Sequence, residues 1–337
     1  MREPGFPLAA AKSDAAGLSE ADTGYSVVIP VYGNRASLPE LVEQLREMNA
    51  SLTGRLEVVF TVDGSPDDSY AWLRENLPRE SFRSVLLALS RNFGSFAAIR
   101  AGMSEARGPL YAVMAADLQD PPEAVLGFFD VLRPGTVDVA VGVRSARADP
   151  LATRMASAIF WGAYRRLIQP QLPPGGVDLF GCNKVFRDQL VALPELNTSL
   201  VGLIFWLGFR RTSVTYVRRP RPYGKSAWSL RRKFRYLADS VFAFSDLPIR
   251  LLLGVGTLGL IASVGVGTAV LAAKLTGHID VPGYAATLLV ITFFGALNML
   301  GLGIIGGYVW RAFENTKSRP GFIIASRVEH TASQQER

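Results

Sequence analysis

Two acidic turns hold the side chains of this sequence best suited to chemistry. The first, Met114-Ala115-Ala116-Asp117-Leu118-Gln119-Asp120-Pro121-Pro122-Glu123, closes an apolar run from Leu110 to Ala116. It sets two carboxylates and an amide in quick succession before two prolines, and proline is tolerated in the first turn of a following helix. Carboxylate and amide oxygens are the ligands that Mg²⁺ and Mn²⁺ prefer. The second, Asp63-Gly64-Ser65-Pro66-Asp67-Asp68, closes another run, Leu56 to Asp63. Each alone also fits an ordinary acidic turn, so the surroundings must decide. A third turn, Leu89-Ser90-Arg91-Asn92-Phe93-Gly94-Ser95, offers Arg91 and a Gly94-Ser95 pair. Backbone amides at a helix N-terminus there would suit a phosphate, although a solvated loop arginine is the plainer reading.

Composition narrows the chemistry. The only histidines are His278 and His330, and the only cysteine is Cys182. A Ser-His-Asp or Cys-His mechanism therefore lacks a base, and neither an internal disulfide nor a cysteine-based zinc site can form. Carboxylates, basic residues or a metal must do the work. The net charge of +7 calls for an anionic partner, whether membrane, phosphate or nucleic acid. Residues 1–24 carry Lys12, Asp14, Glu20 and Asp22 without an apolar core of signal-peptide length, and read as a disordered cytoplasmic tail.

The elements that must position these turns alternate. Strands are expected at Tyr25–Val31, Leu56–Asp63, Ser84–Leu89, Leu110–Ala116 and Val137–Val143. Helices are expected at Leu38–Met48, Ser69–Asn76, Ser95–Glu105 and Pro122–Leu132. Such βαβα alternation predicts a mostly parallel sheet covered on both faces. In a parallel sheet the strands ending at Val31, Asp63 and Ala116 deliver their turns to one edge, where open α/β sheets bind ligands. No Gly-x-Gly-x-x-Gly follows the first strand and no Walker A motif occurs, which argues against a dinucleotide or P-loop site.

Beyond Val143 the character changes. Arg144, Arg147, Arg154, Arg165 and Arg166 accompany a helical stretch, Leu151–Ile168, and Arg218, Arg219, Arg221, Lys225 and Arg231–Arg235 make a basic run. A nucleic-acid patch is one reading of that run. The alternative follows from what comes next. Leu230, Phe234, Leu237, Val241 and Phe244 recur at spacings of three and four, as in a helix lying in a membrane interface. Leu251–Ala273 and Val281–Trp310 then contain no charged residue, and each exceeds the roughly 20 residues that cross a bilayer. Arg250 precedes the pair and Arg311, Lys317, Arg319 and Arg327 follow it. By the positive-inside rule the large domain and both termini are cytoplasmic. A nucleic-acid partner is set aside. Gly254, Gly256, Gly259, Gly301, Gly303, Gly306 and Gly307 suggest close helix packing and permit a homo-oligomer.

The motifs in order resemble those of family 2 glycosyltransferases with the GT-A fold, and within them the polyprenyl-phosphate group of dolichol-phosphate mannose synthase and bactoprenol glucosyltransferase. The marks are Val28-Ile29-Pro30-Val31-Tyr32, Val62-Asp63-Gly64-Ser65-Pro66-Asp67, Leu89-Ser90-Arg91-Asn92-Phe93-Gly94, Ala116-Asp117-Leu118-Gln119-Asp120-Pro121-Pro122, Tyr223-Gly224-Lys225-Ser226 and Lys317-Ser318-Arg319-Pro320, with the two spans. The resemblance implies that Pro30, Tyr32 and Asp63 hold the base and ribose of a nucleotide sugar, with Arg91 near its phosphates. It implies that Asp117 and Gln119 bind a divalent cation (Mg²⁺ or Mn²⁺), and that Arg144, Arg147, Arg221, Lys225 and Ser226 engage the lipid phosphate and the pyrophosphate. Asp120 and Asp178 are reserve candidates for orienting the acceptor. Two positions depart from the family's pattern: Ala115 stands where Asp-x-Asp has its first acid, and Gly33-Asn34 replaces Asn-Glu.

The division expected is a tail (1–24), a GT-A domain (25–229), an amphipathic interface helix (230–248), a two-helix anchor (249–311) and a cytoplasmic tail (312–337). The function expected is inverting transfer of a sugar, first guess from UDP-glucose, to undecaprenyl phosphate at the inner membrane. Two alternatives stand beside it. One is a non-catalytic binding or assembly module, motivated by Ala115. The other is a polysaccharide synthase, against which the sequence lacks Gln-x-x-Arg-Trp.

Overall fold

Strand β2 (Leu56–Val62, LEVVFTV) is buried at every position, as befits a parallel strand covered on both faces. It lies between β1 (Tyr25–Val31) and β3 (Arg83–Leu89), parallel to both, and β1 pairs in parallel with β4 (Leu110–Val113) on its other side. The computed structural model describes residues 24–144, 162, 165–166, 170–173, 177, 179–193, 195, 198–223, 239–276 and 284–331. Residues 1–23 of the expected tail, most of the expected helix Leu151–Ile168, Arg147, Asp178, Lys225, Ser226 and the basic stripe 231–235 lie outside the described residues.

The helices connecting these strands are α1 (Leu38–Ser51), α2 (Ser69–Asn76), α3 (Ser95–Glu105) and α4 (Pro122–Leu132). Helix α1 opens with a proline in its first turn, and α4 begins on Pro122 after an extended Pro121, so the paired prolines open a helix as well as stop a strand. Leu41 and Leu45 of α1, Leu73 of α2 and Phe128 and Phe129 of α4 bury one face of the sheet. Ile99 and Met103 of α3 cover the other, joined by Phe186 of α5 (Lys184–Ala192) and Leu203 of α6 (Leu200–Trp206). Among the described residues the sheet has eight strands, in the order β7 (Arg211–Tyr216), β5 (Val139–Arg144), β6 (Phe180–Asn183), β4, β1, β2, β3 and β8 (Ile324–His330). Strands β5 and β7 run parallel to each other, and β6 inserts antiparallel between β4 and β5. The expected mostly parallel α/β sheet is therefore present, with antiparallel additions.

Because β1 has β2 on one side and β4 on the other, the chain reverses its direction of spread at β1. That switch point opens a crevice at the carboxyl ends of the strands.

Two long helices follow, α7 (Leu247–Leu275) and α8 (Tyr284–Thr316). Both are long and apolar enough to cross a membrane, over Leu247–Val266 and Phe293–Thr316. Leu258 is 69% and Ile261 64% exposed, an apolar surface that water does not favour at this extent and lipid does. The glycines divide by face. A Cβ at Gly259 or Gly301 would meet Phe294 or Leu252 at 3.0 and 3.3 Å, whereas Gly254, Gly256, Gly303 and Gly306 face open space. Only the first pair serves contact between α7 and α8.

A helical stretch over 239–244 ties this hairpin to the domain. Val241 and Phe244, expected to face lipid, instead pack against the cluster that contains α5 and α6. Asp239 accepts a hydrogen bond from the Arg311 guanidinium at 2.7 Å, and the Phe242 and Tyr308 rings meet at 5.0 Å.

The segment 312–337, expected to be a tail, requires correction. Helix α8 runs on to Thr316, and Ile324–His330 forms β8, antiparallel to β3 at the edge of the sheet. Glu329 of β8 is bound by Arg83, by Arg107 at 3.1 Å and by Arg327 at 2.9 Å, while the Tyr70 and Ser326 hydroxyls lie 2.9 Å apart. These pairs register the returning chain against β3 and seal the edge.

Candidate active site

A crevice of about 770 Å³ opens where the strand ends predicted it. Its walls are the loops after β1, β2 and β3 and the turn after β4, closed on one side by Arg221 and Tyr223. Towards the membrane helices it is lined by Leu200, Leu203 and Asp239.

The loops after β1 and β2 are sewn together by short polar side chains. The Gly33 amide donates to Ser65 Oγ at 2.8 Å, Ser65 Oγ donates to Asp67 Oδ1 at 2.6 Å, and the Arg35 amide donates to Asp67 Oδ2 at 2.9 Å. Burial raises the Asp67 carboxyl, but the Ser65 and Ser69 hydrogen bonds and the Arg35 amide outweigh it and hold the group below its ordinary value. Asp63 joins β2 to the next loop: its two oxygens accept the Phe93 and Gly94 amides at 2.7 and 2.8 Å. Burial, the largest influence, raises the Asp63 carboxyl despite those bonds and nearby Arg91.

Gly64 makes this junction possible. Its φ is +56°, and a Cβ would lie 2.5 Å from the Asn92 amide nitrogen and 2.6 Å from the Arg91 carbonyl carbon. Backbone on backbone cannot give way cheaply. We expect Gly64→Ala to cost at least about 1–2 kcal/mol from the left-handed conformation alone, and to push the Arg91–Gly94 loop off Asp63. A lower urea midpoint together with weakened nucleotide binding checks this; an unchanged midpoint would refute it.

The acidic turn is bent at Leu118, a buried residue at φ 61°, conformational strain of the kind that persists only where surroundings over-determine it. Ser37 Oγ donates to the Ala116 carbonyl at 2.6 Å, and the Gln119 amide donates to Asp117 Oδ1 at 3.2 Å. The bend parts the two acids. Asp117 faces the crevice. Asp120 points back under the turn, where Oδ2 accepts the Ala115 amide at 3.1 Å. Burial and the neighbouring Asp117 push the Asp120 carboxyl up to about 6.

Against this turn lies the 218–221 segment. The Arg219 amide donates to the Gln119 carbonyl at 2.9 Å, and Arg218 Nη2 donates to Gln119 Oε1 at 2.8 Å. Arg221 Nη2 pairs with Asp117 Oδ2 and also lies 3.3 Å from Gln119 Oε1.

Of the residues singled out in the sequence, Pro30, Tyr32, Asp63, Arg91, Asp117 and Arg221 line this one crevice. Gln119 meets it through Arg221. Asp120 and Arg144 stand behind it, with Arg144 bonded to the Tyr216 hydroxyl. Sequence reasoning missed Ser37, Arg100, Thr198 and the Gly321-Phe322 pair. Arg100 lines the crevice and donates to the Glu195 carbonyl at 3.0 Å. For Phe322 a signal existed: Phe322, Ile324, Ser326 and Val328 alternate with exposed residues as on a strand.

A divalent cation is tested by this geometry. One guanidinium nitrogen sits on both Asp117 Oδ2 and Gln119 Oε1, so two hard oxygens converge on a single cationic point. Among the described residues no cluster of three or more His, Cys, Asp or Glu forms a metal cage. The donor set therefore fits Mg²⁺ or Mn²⁺ held by one carboxylate, one amide, water and substrate oxygens.

Residues 26–192 match the family described as glycosyl transferase family 2. An uncharacterized glycosyltransferase of Synechocystis sp. is 30% identical over 89% of this chain and 94% of its own length. The chain is a family 2 glycosyltransferase. The undecaprenyl-phosphate 4-deoxy-4-formamido-L-arabinose transferase of Pseudomonas savastanoi pv. phaseolicola is 30% identical over 91% of each chain. The bactoprenol glucosyl transferase of Shigella phage SfX is 27% identical over 90% of this chain and 99% of its own. These matches extend well past residue 192, so the likeness includes the helical hairpin of this glycosyltransferase as well as its catalytic sheet.

Proposed function

We propose that this glycosyltransferase moves a sugar from a nucleotide sugar, UDP-glucose first, to a polyprenyl phosphate such as undecaprenyl phosphate at the cytoplasmic face of the inner membrane. One observation carries the reading. The crevice runs from the strand-end loops, read as the nucleotide side, to Leu200, Leu203 and Asp239, and Asp239 is paired to Arg311 of α8. A lipid-borne acceptor can thus reach the same cavity from the membrane side. Relatives named for undecaprenyl-phosphate and bactoprenol substrates support it.

Topology supports the orientation. The chain enters α7 from a stretch packed on the domain and leaves α8 into β8 of the same sheet. Both ends of the hairpin then lie on the domain's side, and in the sequence Arg250 precedes it and Arg311, Lys317, Arg319 and Arg327 follow its apolar stretch, basic flanks that mark the cytoplasmic side.

Pro30, Tyr32 and Asp63 would hold base and ribose, and Arg91 would face the diphosphate. Asp117 and Gln119 would hold the divalent cation, which when bound offsets the charge of the leaving diphosphate. A polyprenyl phosphate is already an anion near neutral pH, so its oxygen can attack the anomeric carbon without a strong base, consistent with the scarcity of histidine. The new carbon–oxygen bond forms as the bond to the diphosphate breaks, inverting the anomeric configuration and releasing the nucleoside diphosphate. Catalysis rests on positioning and on charge stabilisation.

The decisive assay offers radiolabelled UDP-glucose, other UDP-sugars and GDP-mannose to membranes containing this enzyme and undecaprenyl phosphate. Label should enter a lipid-extractable product with one donor. Label in polymer, or in no lipid with any donor, would overturn the acceptor assignment.

A further inference from the structure

The chain returning from the membrane does more than seal a sheet edge. Gly321 and Phe322 line the same crevice as Asp63 and Asp117, although they follow α8 and stand far from those residues in sequence. Their position is fixed from both sides. The Ser90 amide donates to the Ile323 carbonyl at 2.9 Å, and the β3–β8 ladder shifts register between Ala88 and Leu89, immediately before the crevice. A bulge at such a place re-aims the strand and its side chains. Phe322 is half-buried and packs with Phe93 against the cluster of Leu89, Ala98 and Ala101. Phe93 is the residue whose amide holds Asp63. Here an aromatic face sits beside the loops that carry Asp63 and Arg91.

We propose that the segment leaving α8 forms a wall of the donor pocket, and that Phe322 contacts the nucleoside of the nucleotide sugar. This rests on reading the crevice as the nucleotide-sugar site. A nucleobase is the flat, largely apolar part of such a donor, and an aromatic side chain is the surface that suits it. The plainer account is that Phe322 merely caps the Leu89–Ala98–Ala101 cluster. Ile324 belongs to that cluster too but does not line the crevice, so the pair separates the two roles. A consequence follows for assembly: the donor pocket is complete only after the hairpin has formed and its far end has paired with β3.

The test uses the full-length protein in detergent micelles, with UDP and GDP as probes in titration calorimetry and thermal melting as the control. Wild type should bind one of the two. Phe322→Ala should weaken that binding about 10-fold, as loss of one base–aromatic contact does, and Phe322→Trp should restore most of it. Ile324→Ala should lower the melting temperature while leaving nucleotide affinity within about twofold, by loss of core packing alone. If Phe322→Ala lowers the melting temperature but keeps the affinity of wild type, the wall is structural and the proposal falls. If wild type binds neither nucleotide, both this proposal and the donor-site reading fall together.

Discussion

Replacing Asp117 by alanine is expected to lower sugar transfer by about 100-fold or more, the usual cost of removing one charged or polar group that acts on a leaving group. The expectation rests on the asymmetry of the acidic turn. Ala115 offers no carboxylate, and Asp120 is turned under the loop onto the Ala115 amide. Asp117 is therefore the one acid of this turn that faces the crevice. Its loss costs the fold little, because among the described residues the backbone group bonded to it is the Gln119 amide at 3.2 Å, at the margin of a useful hydrogen bond. Membrane insertion, thermal melting and nucleotide binding in metal-free buffer should persist, while Mn²⁺-dependent gain in nucleotide affinity should disappear. Asp117→Asn retains the shape and the bond to Gln119 but not the charge, and should resemble alanine in transfer. Transfer at wild-type rate by either variant would remove Asp117 from the mechanism.

The acidic turn also shows how much the sequence alone discloses. Strand β1 and helices α2, α3 and α4 lie where periodicity placed them, because each has a strong local pattern: an apolar run between breakers, or an apolar stripe after a turn. The convergence of three strand ends on one edge followed from parallel pairing and is observed. The separation of Asp117 from Asp120 was not legible, since it depends on Leu118 adopting a positive φ, a conformation no leucine advertises. Strand β6 and the eighth strand were missed for a different reason. Strand β6 is four residues long and gains its stability from β4 and β5 on either side. Strand β8 joins β3 across the whole hairpin, with Arg83 and Glu329 brought together from 246 positions apart. Pairing at that separation leaves only a faint alternation in the sequence, which a position after two membrane spans disguises as a tail. The sequence shows that the 218–221 segment is basic, yet which arginine meets which acid is a tertiary fact: Arg221 pairs with Asp117 and Arg219 with Glu123.

That fact gives Arg221 a double role with opposite signs. In the structure its guanidinium pairs with Asp117 while lying 3.3 Å from Gln119 Oε1, so it holds the point at which those two oxygens converge. A divalent cation bound by the same oxygens must displace it. Arg221→Ala should therefore tighten Mn²⁺ binding to the nucleotide-free protein, by about 5-fold if the partly exposed ion pair contributes about 1 kcal/mol. Yet a displaced guanidinium at the crevice wall is well placed to donate to phosphate oxygens in a forked geometry, and the alanine variant loses that. Sugar transfer should fall by about 100-fold even as the metal binds more tightly. Arg221→Lys keeps the charge but not the fork, so it should recover little of the transfer while weakening Mn²⁺ binding back towards wild type. Paramagnetic titration of Mn²⁺ reads the first effect without turnover, and the lipid-product assay reads the second. Equal Mn²⁺ affinity in wild type and Arg221→Ala would show that the guanidinium does not contest the position, and the phosphate role would then have to stand on transfer rates alone.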